Sequence, residues 1–372
     1  MQTLKRLGSA AIACAAMLAL AAGSASAAQD GHPLYVQTDN LAGNQVVVYD
    51  RAGDGTLTQA GIYDTGGLGG QLEGSQVDHL ASQGSLALDS RDGLLIAVNA
   101  GSNTVSVFAV AGDRLTLRQR IYSGGKFPVS VAVDDGLVYV LNAESGGALR
   151  GFRVIAGRLV QIEESGRGLG LNVAATPQFV NTPGQVAFSP SGSQLLVTTK
   201  ANGSDLDVYA VDSSGRLSAK PTVNSLPGAV PFALTFDTQG HIVLTEAGPS
   251  DLATFALQPN GEVEALSSVA TGQAATCWVV HGAGRFYASN AGSASLSGIQ
   301  EGLGGALAVF GQTATDVGTV DAAVPAGDRF LYVQAGGEGK VDEYSIGVGG
   351  ALAPIGSVTV PGAVGGEGIV AQ

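Results

Sequence analysis

Hydrophobic residues in this chain recur with a period of two, in short runs broken by glycine-rich turns. One four-part unit repeats: an alternating strand, a Gly turn, a strand apolar at nearly every position that ends near Asn or Thr, then two weaker strands. The clearest copy is Val129-Ser-Val-Ala-Val133, Asp134-Asp135-Gly136, Leu137-Val-Tyr-Val-Leu-Asn142, Ala148-Leu-Arg-Gly-Phe-Arg-Val154 and Leu159-Val-Gln-Ile162. Further second strands are Leu34-Tyr-Val-Gln-Thr38, Leu95-Ile-Ala-Val-Asn99, Leu195-Leu-Val-Thr-Thr199, Ile242-Val-Leu-Thr-Glu246, Phe286-Tyr-Ala-Ser-Asn290 and Leu331-Tyr-Val-Gln-Ala335. Sustained helical periodicity is absent.

Aligned on the last residue of the second strand, the copies end at positions 38, 99, 142, 199, 246, 290 and 335. Seven units of four short strands, mostly 43 to 47 residues apart, predict an all-β chain folded as a seven-bladed β-propeller. Second strands apolar on both faces suit burial between neighbouring blades. First strands that alternate aliphatics with Ser, Ala or Gly suit the crowded position around an axial channel. The unit beginning at Leu34 has no first strand of its own, and Gly366-Glu-Gly-Ile-Val-Ala-Gln372 resembles the Gly84-Ser-Leu-Ala-Leu88 element of the next unit. The C-terminal strand is therefore expected to complete blade one and close the ring. Gly-rich insertions near 66–83 and 165–181 each join an outer strand to the next inner strand. Both are expected on the face where inner strands begin, walling the channel mouth and free to close over a ligand, with His79 and Arg167 as the chargeable groups they bring.

Residues 1–27 read as an export signal: Lys5 and Arg6, an apolar stretch from Ala10 to Ala22, and Ala25-Ser26-Ala27 as a cleavage site. That apolar stretch is shorter than the roughly 20 residues a membrane span needs, and no later segment is long enough. The expected mature chain, 28–372, is one propeller domain, secreted and monomeric. Loss of Lys5 and Arg6 takes the net charge from −13 to −15, which repels nucleic acid and anionic membranes. Only Cys277 remains after cleavage, so no internal disulfide forms.

The elements Leu-Tyr-Val-Gln-Thr, Val-Tyr-Val-Leu-Asn-Ala and Phe-Tyr-Ala-Ser-Asn-Ala resemble those of lactonase-type seven-bladed propellers. That family includes 6-phosphogluconolactonase and carboxymuconate-cyclising enzymes. The resemblance spans the whole expected mature chain, but its motifs are structural, and a fold does not carry a chemistry with it. It implies a His and two Arg at heads of inner strands and a Glu after a second strand. Carried across by repeat alignment, these fall near Pro128, Gly184, Thr276 and Lys200 respectively, and neither His nor Arg stands within two positions of any of them. A lactone hydrolase needs a base for water and cations for the developing charge, so the inherited catalytic set is expected to be lost and no catalytic residue is assigned.

Other chemistry is equally sparse. The chain has no Gly-x-Ser-x-Gly elbow, phosphate loop, His-Glu-x-x-His or paired-Cys motif. His32, His241 and His281 read as surface or turn residues. Trp278, the sole tryptophan, heads an inner strand and suits the floor of a small-molecule pocket. Gln185, Phe127, Phe232 and Glu367 head other inner strands, and His79 lies just before one. These six are the candidate ligand-binding residues. Gln83, Ser130, Cys277 and Asp321 share that rim, with Glu144 and Glu246 at ends of second strands. No cofactor is expected; a Ca²⁺ held by carboxylates at the mouth is conceivable, but no spacing specifies it. The expected partner is a small molecule or an extracellular protein, bound at the channel mouth. The alternative is a hydrolase that opens a small lactone with a rearranged site.

Overall fold

Seven antiparallel sheets follow one another along the chain and form a ring, a seven-bladed β-propeller of four-stranded blades. The structure is a computed structural model that describes residues 32–327 and 329–372; the expected signal, 1–27, lies outside the described residues. Blade one runs outward through Ile369–Ala371, Leu34–Gln37, Gln45–Arg51 and Leu57–Asp64. The closing strand pairs in the expected place, Leu34 opposite Ala371 and Val36 opposite Ile369. Blade two begins at Leu86–Asp89, blade three at Pro128–Asp134, blade four at Val186–Phe188, blade five at Pro231–Phe236, blade six at Thr276–Gly282 and blade seven at Thr319–Ala323. Blade three departs from the pattern: Arg167–Gly168, from the second insertion, adds a short fifth strand beside Ala148–Ile155.

Burial follows the sequence pattern. Second strands such as Leu94–Asn99 and Leu137–Asn142 are buried at every position, whereas the outer strand Leu57–Asp64 buries little beyond Leu57. The recurrent tyrosine of the second strand has a specific task. Tyr35, Tyr139, Tyr287 and Tyr332 donate their hydroxyls to the carbonyls of Gly112, Gly215, Gly350 and Gly55, at 2.7, 2.7, 2.9 and 2.6 Å. Each acceptor sits in the outer turn of the following blade, so the ring fills the gap between blades while the hydroxyl latches them. A buried phenol needs such a partner, and each bond adds on the order of 1 kcal/mol.

Candidate functional site

The first insertion does not wall the channel mouth; it crosses it. Asp78 shapes the crossing, its Oδ1 accepting the Leu80 N–H at 2.8 Å and its Oδ2 the Ser82 N–H at 2.9 Å. From this turn the chain reaches four other parts of the ring. The His79 N–H donates to Gly365 ahead of the closing strand (2.8 Å), and Ser82 Oγ to the Val129 carbonyl of blade three (2.9 Å). The Gln83 N–H donates to Gly184 before blade four (3.2 Å). The Gln83 side-chain amide exchanges two bonds with Val279 of blade six, at 3.1 and 2.9 Å. Segment 78–83 thus lies as a plug over the heads of the inner strands. The second insertion meets it on the same face, where Gln178 Oε1 accepts the Glu73 N–H at 3.0 Å.

Four of the six candidate binding residues gather around this plug, and all four are buried. Trp278 donates Nε1–H to the Ser82 carbonyl at 2.6 Å and packs edge-on against Phe232, with ring centroids 4.9 Å apart. Gln185 Oε1 accepts the Leu234 N–H at 2.6 Å. Glu367 Oε1 accepts the Gly84 N–H at 2.9 Å. Phe127 lies to the side, in the core cluster that includes Leu72 and Leu80. The sixth, His79, is half-buried and shares the face with Trp278; its ring occupies the space a Cβ on Gly365 would need, so that position must stay glycine. Cys277 is buried, and burial pushes its thiol up to about 12, the reverse of an activated nucleophile. Arg167 is not at the mouth: its guanidinium donates to the carbonyls of Glu164, Gly166, Leu217 and Ser218 at the outer side of blades three and four.

Beneath the plug lie ionisable groups that the sequence did not mark as a set. Lys200, 1% exposed, donates Nζ to the carbonyls of Ala81 and Phe179, both at 2.6 Å, and to Thr182 Oγ1 at 3.2 Å. Its ammonium also lies 5.3 Å from the Phe232 ring centroid. Burial pulls Lys200 down to about 7, against the opposing pull of Asp78. Burial raises Asp78 to about 6, opposed by its backbone hydrogen bonds and by Lys200. Asp321 is lifted by burial to about 7, and Glu367 is pushed well above the carboxyl range by burial and by the neighbouring Asp321. Two adjacent buried carboxyls cannot both ionise cheaply, so burial and mutual repulsion favour retention of a proton by the Asp321–Glu367 pair.

The two carried-over arginine positions, Gly184 and Thr276, offer no cation. Gly184 is pressed against blade five, and a Cβ there would stand 2.5 Å from the Phe232 carbonyl oxygen, so no arginine fits without moving the backbone. Thr276 donates to Asn290 Oδ1 at 2.6 Å inside the blade. On the same face, beside the plug, a cleft of about 370 Å³ opens under the second insertion. Glu144, Asn172, Gln178, Asn181, Thr182 and Asn202 supply its polar lining. Asn202 holds its rim, donating Nδ2–H to the carbonyls of Asn172 and Asn181, both at 3.0 Å.

No protein-family model matches the chain, and no curated protein matches it in sequence. Its fold, however, is that of the lactonase-like propellers. The periplasmic gluconolactonase of Pseudomonas aeruginosa superposes with a TM-score of 0.73 at 16% identity, over 91% of this chain and 98% of that one. A Bacteroides uniformis protein provisionally assigned as a 6-phosphogluconolactonase gives 0.75 at 17%, over 92% and 100%. A Lactobacillus plantarum protein gives 0.74 at 20%, over 92% and 99%. At these identities the likeness is one of fold. Among the described residues, no helix is long and apolar enough to cross a membrane.

Proposed function

We propose that this protein is an exported binding propeller built on a lactonase-like scaffold, with the catalytic mouth of that scaffold converted to a sealed plug. The observation that carries this reading is Lys200: the cation where the family's carboxylate is expected is buried, bound to the plug backbone and unable to reach a substrate. The crowding at Gly184 supports it. The leader-like start of the chain supports export. Binding then falls to the cleft beside the plug, whose lining is rich in amides with Glu144 as its charged member. Such a lining suits a neutral, hydroxyl-bearing molecule and repels a phosphorylated one.

A second reading rests on the Asp321–Glu367 pair, since carboxyls sharing a proton also serve as acid and base in hydrolases. It requires the plug to lift. One experiment separates the two. The mature protein is assayed for hydrolysis of 6-phosphogluconolactone and glucono-1,5-lactone, and titrated calorimetrically with gluconate and neutral sugars. The expected result is no hydrolysis above the spontaneous rate, with binding of a neutral ligand that weakens in Asn202→Ala. Saturable turnover that disappears in Glu367→Gln establishes the hydrolase instead.

A further inference from the structure

On the face opposite the plug, the turn after inner strand Pro231–Phe236 of blade five carries Asp237 and His241. Asp237 Oδ1 accepts the N–H groups of Gln239 and His241, at 2.8 and 2.7 Å. Blade two uses the same device, where Asp89 Oδ1 accepts from Arg91 and Asp92 at 3.2 and 3.1 Å. Capping a turn therefore explains the aspartate but not what surrounds it. His241, at the turn as expected, is 21% exposed, with Nδ1 2.6 Å from Asp237 Oδ2. The same nitrogen lies 3.8 Å from Oε1 of Glu301, which ends strand Ser295–Glu301 of blade six. That Glu301 oxygen is buried and faces Asp237 and His241, with no N–H or O–H donor within 3.5 Å. One donor atom from each of the three side chains falls within 4.8 Å of the others, the one such grouping among the described residues.

We propose that Asp237, His241 and Glu301 form a binding site for a first-row divalent cation of the Zn²⁺ type, bridging blades five and six. One imidazole nitrogen and two carboxylate oxygens match the ligands Zn²⁺ accepts, at about 2.0–2.2 Å each. A tetrahedral ion at that distance sets its ligand atoms about 3.3 Å apart, between the 2.6 and 3.8 Å separations found here. The Asp237–Glu301 separation lies within 4.8 Å, so side-chain adjustments on the order of 1 Å complete the geometry. Ca²⁺ and Mg²⁺ fit less well, because they prefer six or more oxygens and avoid imidazole. The two N–H groups on Asp237 Oδ1 fix the direction of Oδ2, the outer-shell support metal ligands generally have. A cation also removes the cost of holding two carboxylates this close together. Because its ligands come from two blades, the ion would act as a staple between them.

The test uses the mature protein, stripped with a chelator and dialysed. It is titrated with Zn²⁺ by calorimetry and with Co²⁺ by visible absorption. The expected result is one equivalent bound with Kd of about 10 μM or tighter, with the intense visible bands of four-coordinate Co²⁺ and a raised melting temperature. Glu301→Gln and His241→Ala should each weaken binding by about 100-fold or more, while Glu301→Gln melts within a few degrees of the metal-free parent. Absence of binding tighter than about 100 μM overturns the proposal. So does binding that changes less than about threefold in both variants, which would place the ion elsewhere.

Discussion

Replacing Asp321 with Asn probes the proton held beneath the plug. Burial lifts this carboxyl from 3.8 to about 7 in the folded protein, and unfolding returns it to its ordinary value. A carboxyl raised by folding contributes stability that is fully present below its unfolded pKa and is lost as pH rises through the folded one. The relevant window therefore runs from about pH 4 to pH 7. Across it the folded chain holds roughly one proton more than the unfolded chain, a slope of about 1.4 kcal/mol per pH unit. Summed over the window, the effect is on the order of a few kcal/mol. Asp78 and Glu367, raised for the same reason, add slope of the same sign. The substitution keeps the shape: the amide oxygen can still accept the Ala322 N–H that Asp321 Oδ1 accepts at 2.9 Å, and its NH₂ can donate to Glu367. Urea unfolding from pH 4 to 8, followed by the fluorescence of the single, buried Trp278, measures the slope. Wild-type stability should fall from pH 4 to pH 7, above which deprotonation of Lys200, held down to about 7, opposes the trend. In Asp321→Asn the fall should be shallower by about 1.4 kcal/mol per unit, with the variant at least as stable as wild type at pH 7.5. An unchanged slope, or a loss exceeding about 1 kcal/mol at pH 7.5, would refute the shared-proton account.

Deleting residues 364–372 removes the strand paired with Leu34–Gln37 together with Glu367, and should cost more than about 5 kcal/mol and cause aggregation; a truncated protein that melts with the full-length one denies ring closure. Lys200→Met leaves the Ala81 and Phe179 carbonyls without their donor and should destabilise by about 2–4 kcal/mol, with faster proteolysis within 66–83 as the sign that the plug has loosened. Tyr139→Phe removes one blade-to-blade latch and should cost about 1 kcal/mol in chemical denaturation, with no change in far-UV dichroism.

The ring was legible because its signal is periodic. Seven copies of a fully apolar second strand gave the blade count, and one missing inner strand identified the closing segment now paired at Leu34–Val36. The gathering of inner-strand heads was legible for the same reason, and Trp278, Phe232, Gln185 and Glu367 do converge. What covers them was not. Segment 78–83 is held by contacts with Val129, Gly184, Lys200, Trp278 and Glu367, and none of those pairings leaves a mark in local composition. A glycine-rich insertion reads as mobile because glycine permits many conformations; hydrogen bonds from around the ring select one. His241 does follow a turn glycine and keeps partial exposure, but its carboxylate neighbours were not legible. A histidine after a turn glycine is usually solvated; here Asp237 of the same turn and Glu301 of the next blade both face it.

The pairing of Leu34 with Ala371 also orders events in time. During synthesis the first strand of the ring has no inner neighbour until residues 369–371 leave the ribosome, so blade one cannot be completed before then. Contacts between segments so distant in sequence are slow to form, and the latch from Tyr332 back to Gly55 must wait with them. If the chain is exported as proposed, it would gain from that delay. Translocation as an extended polypeptide requires that folding not finish first, and this ring withholds its final strand until the whole chain is available.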